Sequence, residues 1–295
     1  MSSTFAPTPQ MKRKRFVQGV VLGSTALATV VISLPIVIVI VYVVSHGGSA
    51  ITPEFLFDGP ARAGREGGFW PVIVLTLYAL VLTAIFAVPT GVACAIYLAE
   101  YARAGLLLRI VNLTIVNLAG VPSIVYGLFG AAFFFDVVHA EKSLWVASAT
   151  LATQALAIVI TSAREALIAV PPGIREGSLA LGVSKLRTTV FVTLPQAFPG
   201  IVTGVLLAIS RAAGETAPIL VVGAILATNV DLNPVNALQG RAQMLSFELY
   251  GRVTEGLGFD ESRKWGIALV LLAVVLVFNV SALVLRYRIQ AASRR

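Results

Sequence analysis

Long apolar runs separated by short charged segments make up most of the chain. Two of these runs, residues 16–45 and 69–99, contain no charged side chain. A helix needs about 20 consecutive apolar residues to cross the hydrocarbon core of a bilayer. The pattern therefore predicts six transmembrane helices, which we place at residues 18–44, 69–99, 106–135, 143–163, 200–228 and 265–285.

The ends of the chain differ from these runs. Residues 1–11 are polar and include two prolines, and four basic residues, 12–15, precede the first apolar run. The core of a cleavable signal peptide is only about 7–15 residues long, so we expect this longer run to be kept as a membrane span. We predict a disordered, basic, cytoplasmic segment at 1–17, a transmembrane domain at 18–288 and a cytoplasmic tail at 289–295.

Composition indicates an all-α integral membrane protein surrounded by lipids. Hydrophobic residues make up 57% of the chain and charged residues 12%, whereas soluble domains carry about 25% charged residues. The net charge of +8 arises from charges grouped at the ends of the apolar runs. Because no basic stripe is interleaved with aromatic residues, we expect no nucleic-acid partner.

The basic residues also predict the orientation of the helices. Six spans place both termini on one side of the membrane, and that side carries fourteen of the 22 lysines and arginines, against seven on the other side. By the positive-inside rule, both termini and the charged segment 164–199 are expected to be cytoplasmic.

Residues for enzyme chemistry are scarce. Cys94 is the single cysteine, and His46 and His139 are isolated from each other and from acidic pairs, so we expect no metal site and no cofactor. No G-x-x-x-x-G-K-[S/T] loop for nucleotide phosphates occurs in the sequence. The chain is therefore not expected to be an enzyme by itself, and ATP would have to be hydrolysed by another subunit.

Two charged residues, Arg211 and Glu215, fall inside the predicted fifth span. A charge at the bilayer centre costs about 2.5–3.5 kcal/mol on insertion scales, and residues four apart share one helix face, so the two can pair. The pair either neutralises itself for structural reasons or serves transport. A transport role fits the planar guanidinium, which can donate two parallel hydrogen bonds to a tetrahedral oxyanion.

The predicted third span also contains polar and small residues. Asn112 is interpreted as a helix-packing residue, whereas Pro122 and Ser123 either pack against a neighbouring helix or line a path through the membrane.

The segment 164–199 is charged, punctuated by proline and glycine, and too long for a simple turn. Pro172 suits the first turn of a helix, and Gly182 suits a helix end that needs a left-handed backbone. Pro195 is expected to stop a second short helix. Such a segment suggests contact with a partner protein.

Within this segment the residues carry a family resemblance. The EAA signature of ABC importer permeases reads Glu-Ala-Ala, three residues, Gly, nine residues, Ile, one residue, Leu-Pro. The residues of this chain that match the signature are Glu176, Gly177, Ser178, Gly182, Val192, Leu194 and Pro195. Gly-Ser replaces Ala-Ala in this match, and Val replaces Ile. The chain thus resembles binding-protein-dependent ABC importer permeases, and this resemblance implies a MetI-like fold. It also implies that six of the matching residues couple the permease to an ATPase: Glu176, Gly177, Ser178, Gly182, Leu194 and Pro195. The alternative is an amphipathic helix lying on the lipid surface.

Two further runs, residues 118–127 and 208–220, resemble the phosphate permeases of this family. Arg211, Gly214, Glu215 and Thr216 match an Arg-x-x-Gly-Glu-Thr run of these permeases. The resemblance implies that the substrate path contains Arg211, Glu215, Thr216 and Ser123.

The resemblance also implies the partners of an ATP-driven phosphate importer in a bacterial inner membrane. These are a second, PstC-like permease in a heterodimer, a dimer of a PstB-like ATPase and an external, PstS-like phosphate-binding protein. Two alternatives remain open: a permease for another oxyanion such as molybdate or sulfate, and a secondary anion transporter that needs no ATPase.

Overall fold

The computed structural model describes residues 9–62, 64–228, 231–254 and 260–293. Within these ranges the chain is a bundle of helices with one two-stranded hairpin. Five helical segments are long and apolar enough to cross a membrane, and a bent pair of helices makes a sixth crossing if it is counted as one span. The long helices are α1 (Pro9–Gly47), α3 (Trp70–Ile96), α6 (Leu144–Ile168), α9 (Leu194–Gly214) and α13 (Glu261–Ser293).

The N-terminal segment differs from the predicted disorder. Residues 9–17 belong to α1, and residues 289–293 belong to α13, while residues 1–8 and 294–295 lie outside the described residues. Lysine and arginine are good helix formers, so the basic residues 12–15 extend the apolar helix instead of ending it.

The predicted third span, 106–135, is two helices in the structure. Helix α4 (Leu106–Ala119) and helix α5 (Ser123–Ala131), which continues as a π-helical turn over Ala132–Val137, meet at an angle of 103°. Pro122 has no backbone N–H and disfavours a helical conformation for the residue before it. The region predicted as the third span is therefore a bent pair of helices, and α5 begins at Ser123, directly after Pro122.

The fifth span also has other bounds than the predicted 200–228. It begins with α8 (Lys185–Thr188), continues through a π-helical turn at Thr189–Thr193 and runs on as α9 to Gly214. Pro195 lies in the first turn of α9, where a missing N–H is tolerated, so the expected stop at this proline is wrong. After Gly214 the short helix α10 (Ala217–Val221) follows.

Before α8, the charged segment folds back on itself. Helix α7 (Pro172–Ala180) begins at Pro172, and Gly182 has a φ of +78°, the left-handed conformation expected of it. None of the residues of α7 is buried.

The opposite end of the bundle carries a cap, which we define as residues 48–69 and the described residues of 225–254. It contains a 3-10 turn, three short helices and the hairpin of β1 and β2, which are antiparallel with Pro60 opposite Gly67 and Ala61 opposite Glu66. The elements are the 3-10 turn Gly48–Ala50, α2 (Pro53–Phe57), β1 (Pro60–Ala61), β2 (Glu66–Gly67), α11 (Pro234–Gln239) and α12 (Leu245–Thr254). The backbone N–H of Leu245 donates to the Thr76 hydroxyl at 3.0 Å, which fixes α12 to α3.

Small residues let α6 pack closely against its neighbours. A Cβ atom on Gly204 of α9 would lie 2.1 Å from Ser162 Oγ of α6, and one on Gly91 of α3 would lie 2.7 Å from a methyl group of Val159. Close approach of this kind is typical of helix packing in membranes. It makes α6 the central helix of the bundle.

We expect Gly204→Val to lower the melting temperature of the detergent-solubilised protein. The added side chain has no room beside Ser162, and overpacking typically costs about 1–3 kcal/mol. The matched control is Gly23→Val in α1, where nothing lies within 4 Å of the added Cβ. Equal melting temperatures for the two variants would contradict the packing argument.

A second prediction concerns a buried ion pair in α12. Glu248 and Arg252 have side chains only 1% exposed, with Glu248 Oε1 2.5 Å from Arg252 Nη2, and Glu248 Oε2 accepts from the Ala227 N–H at 2.7 Å. Because breaking a buried pair costs about 3–5 kcal/mol, Glu248→Gln should lower the melting temperature clearly. Glu261→Gln is the control, since its pair with Lys264 is exposed on the glutamate side. No difference between the two changes would show that the buried pair does not stabilise the cap.

Candidate functional site

Arg211 and Glu215 lie at the end of α9 and not in the middle of a transmembrane helix. Arg211 is in the last turn, and Glu215 is the residue directly after the helix, with an extended backbone (φ −74°, ψ 131°). A cation in the last turn is favourable because the carbonyl end of a helix carries partial negative charge. The predicted pairing is present, with Arg211 Nε 3.4 Å from Glu215 Oε1.

The two partners differ in how firmly they are held. The Arg211 side chain is 54% exposed, whereas that of Glu215 is 15% exposed. A distance of 3.4 Å is longer than the 2.7–2.9 Å typical of a charge-assisted hydrogen bond. Arg211 is therefore held loosely by Glu215, and about half of its side chain is exposed.

Glu215 has a second partner that sequence reasoning missed. Gln154 of α6 is 7% exposed, and its Nε2 donates to Glu215 Oε1 at 2.6 Å. Its own Oε1 is buried without a hydrogen-bond partner. The signal was available, because Gln154 is a polar residue within an apolar run, but nothing in the sequence indicates a partner 61 positions away.

The cap also contacts this site. The hydroxyl of Ser246, in α12, donates to the backbone carbonyl of Glu215 at 2.9 Å. In return, the hydroxyl of Thr216 donates to the Ser246 carbonyl at 3.4 Å. The side chain predicted for the path at position 216 is thus engaged with the cap in this conformation.

Ser123 makes no direct contact with the Arg211–Glu215 site, but its helix packs against α10, which follows that site in the chain. It begins α5 after the bend, and α5 lies against α10, where a Cβ on Gly127 would be 2.8 Å from Pro218 Cα. In the described part of the chain, no hydrogen bond joins Ser123 to Arg211, Glu215 or Thr216. Its place on the path remains a prediction.

The residues that the resemblance assigns to ATPase coupling lie at the other end of the bundle. Glu176 and Gly177 are exposed on α7, and Ser178 Oγ is 2.9 Å from Thr188 Oγ1 of α8. Gly182 lies in the turn between α7 and α8, and the two helices and this turn form a helical hairpin. The structure thus joins four of the six residues in one hairpin and places the remaining two at the start of α9, namely Leu194 and Pro195.

Comparison with known sequences identifies a family. Residues 87–295 match the family of binding-protein-dependent transport system inner membrane components. The phosphate transport system permease protein PstA 1 of Mycobacterium tuberculosis is 34% identical over 97% of this chain and 93% of its own length. PstA of Mycobacterium leprae is 35% identical over 86% of this chain and 83% of its own length. A probable ABC transporter permease protein of Bacillus subtilis, YqgI, is 28% identical over 88% of this chain and 92% of its own length.

Solved structures share the fold. An inward-facing structure of the MetNI methionine ABC transporter superposes with a TM-score of 0.61 at 18% identity, covering 74% of this chain and 94% of that chain. A bacterial ABC transporter involved in the import of alginate gives a TM-score of 0.58 at 13% identity, covering 92% and 96%. The prediction of an all-α membrane protein with the MetI-like fold of ABC importer permeases is confirmed. The chain belongs to the family of binding-protein-dependent transport system inner membrane components, and the PstA permeases are its relatives within that family.

Proposed function

We propose that this chain is the transmembrane permease subunit of an ATP-driven importer of inorganic phosphate and forms half of the translocation path. The observation that carries this proposal is the half-exposed arginine, Arg211, which lies against a fixed carboxylate where a membrane helix ends. Relatives named as phosphate permeases support the choice of phosphate as the substrate.

Arg211 is suited to bind a phosphate ion in passing. Its guanidinium can donate two parallel hydrogen bonds to a tetrahedral oxyanion, and its exposed part is not held by Glu215. Glu215 pairs with Arg211 while the path is shut, and a movement of the helices frees Arg211 for the anion. The glutamate also opposes tight binding of an anion, which suits transport because the ion must leave again.

Two hydroxyl groups accompany this step. Thr216 is held by the cap through Ser246, so displacement of the cap would release the threonine hydroxyl to the anion. Ser123 begins the helix after the bend between α4 and α5 and lines the path from the other side of α10. Hydroxyl groups are neutral donors that assist an arginine without adding positive charge.

Helix α7 is the docking element for a cytoplasmic ATPase. It has no buried residue and presents Glu176 and Gly177 outward, so its surface is available to a partner. A helix that merely lay on lipid would not need the signature spacing that extends from α7 to the start of α9, so this spacing supports docking.

The remaining partners follow from this assignment. The chain forms a heterodimer with a related, PstC-like permease and works with two PstB-like ATPase subunits and a PstS-like phosphate-binding protein. It lies in the bacterial inner membrane with both termini in the cytoplasm. The cap then faces outward, where the binding protein docks.

The test of the substrate is uptake of labelled phosphate into vesicles that contain this chain and its co-expressed neighbours. We expect Arg211→Gln to reduce uptake at least tenfold, because the neutral amide cannot hold the anion, and Arg211→Lys to keep part of the activity. Arg15→Gln is the control, since Arg15 is an exposed arginine of α1 that lies outside both the site and the cap. Full uptake by Arg211→Gln would overturn the role of Arg211. Competition by molybdate or sulfate as strong as that by unlabelled phosphate would overturn the choice of substrate.

The test of coupling is Glu176→Lys, which reverses a charge on the exposed face of α7. We expect loss of the ATPase from the complex in a pull-down, together with loss of uptake. Glu141→Lys reverses an exposed charge at the opposite end of the bundle and should leave both measurements unchanged. Uptake that persists without any bound ATPase would instead indicate a secondary transporter.

A further inference from the structure

Helix α7 packs only loosely against the rest of the bundle. It contains no buried residue, and a cavity of about 410 Å³ separates part of it from the helices behind it. Movement of α7 reaches the membrane helices through the chain on either side of it, through the hydrogen bond of Ser178 to Thr188 in α8 and through a few side-chain contacts. The strongest of these contacts involve Arg175, the residue next to Glu176.

The Arg175 side chain points back into the bundle and is 21% exposed. Its Nη1 donates to the Val170 carbonyl at 2.7 Å, and its Nη2 donates to the Leu167 carbonyl at 2.5 Å. Leu167 lies in the last turn of α6 and its carbonyl also accepts from the Val170 N–H at 3.2 Å, while Val170 follows the end of the helix. Arg175 thus ties α7 to the end of α6 by two charge-assisted hydrogen bonds.

The third bond of Arg175 reaches another helix. Its Nε donates to Glu100 Oε1 at 3.0 Å, and the Glu100 side chain is 8% exposed. Glu100 lies in the π-helical turn Tyr97–Tyr101 that ends α3. Because the pair is largely shielded from water, it is held more firmly than an exposed ion pair.

A weaker link runs beside this one. The Lys185 ammonium of α8 lies over the Tyr101 ring at 5.2 Å, and the Tyr101 hydroxyl is 3.5 Å from the Thr189 hydroxyl. These contacts join α8 and the π-helical turn Thr189–Thr193 to the π-helical turn Tyr97–Tyr101, but they do not involve α7. Arg175 is therefore the residue that connects α7 itself with both α3 and α6.

We propose that Arg175 and Glu100 form a positioning pair that transmits movement of α7 to α3 and α6. This inference rests on the proposed function, because it takes α7 to be the docking element of the ATPase. Its consequence reaches the substrate site, since α6 also carries Gln154, which holds Glu215. Gln154 and Ile168 are 14 positions apart, about 21 Å of continuous helix, so a displacement at the Arg175 end moves the Gln154 end as well.

The experiment uses the full transport complex in vesicles and measures three quantities: bound ATPase, ATP hydrolysis and phosphate uptake. Glu100→Gln removes the charge of the pair but leaves the two carbonyl bonds of Arg175 in place, and Arg175→Gln removes all three bonds. We expect both variants to keep the ATPase and to hydrolyse ATP, while uptake per ATP hydrolysed falls at least tenfold for Arg175→Gln and less for Glu100→Gln. Arg175→Lys, which keeps the charge, should give an intermediate ratio.

The control is Arg103→Gln, since Arg103 is an exposed arginine close to Glu100 in the chain; its ratio of uptake to hydrolysis should equal that of the wild type. An unchanged ratio in Glu100→Gln and Arg175→Gln would overturn the inference. Loss of the ATPase and of uptake in proportion would also overturn it, because it would show that the pair only supports folding or assembly. If the wild-type chain itself bound no ATPase, the proposed function would fail, and that result is separate from the behaviour of the variants.

Discussion

A helix that ends within the bundle leaves its last backbone carbonyl groups without the N–H of a following helical turn, and side chains from elsewhere in this chain donate to some of them. The Tyr126 hydroxyl donates to the Leu118 carbonyl at the end of α4 at 2.6 Å. The Ser246 hydroxyl donates to the Glu215 carbonyl after α9, and Arg175 donates to two carbonyls at the end of α6. Two of these carbonyls also accept a backbone hydrogen bond, Leu118 from the Val121 N–H at 3.1 Å and Leu167 from the Val170 N–H at 3.2 Å. At these two breaks the side-chain bond is therefore a second donor, which ties the helix end to another element.

Each of these bonds also joins two separate elements. Tyr126 fixes the angle between α4 and α5, Ser246 fixes the cap to the end of α9, and Arg175 fixes α7 to α6. The long helices between them are packed through small residues, such as Gly204 against Ser162, and such contacts leave little freedom for side chains to adjust. The structure thus combines closely packed helices with a few polar side-chain bonds between elements, and the candidate functional residues lie next to these bonds.

The sequence predicted the helical class and the pairing of Arg211 with Glu215, because both follow from local rules of run length and spacing. The left-handed backbone of Gly182 follows from the same rules. The bend at Pro122 did not follow, since Pro35, Pro89 and Pro199 lie inside helices that continue past them. Proline therefore weakens a helix, and the surrounding packing decides whether it bends.

The missing parts of the site are long-range contacts. Gln154 meets Glu215 across 61 positions, and Arg175 meets Glu100 across 75 positions. The spacing of apolar residues predicts contacts within one helix, but it does not predict which residues meet across so many positions. The position of Glu215 after α9, and not within it, likewise depends on the cap that binds its carbonyl. Sequence reasoning could name these residues as polar and unusual, but it could not pair them.

The strengths of the bonds around Glu215 determine the order of events in the proposed cycle. A hydrogen bond from a buried amide to a carboxylate contributes about 1.5–3 kcal/mol, whereas an ion pair with a half-exposed partner contributes about 0–1 kcal/mol. In this proposal, when α6 moves relative to α9 the Glu215 side chain swings with Gln154, because its contact with Arg211 is the weaker one. Arg211 is then expected to have no carboxylate beside it and to be free to bind the anion. The glutamate remains bound to α6, so return of that helix brings the carboxylate back to Arg211, where it competes with the bound anion for the guanidinium.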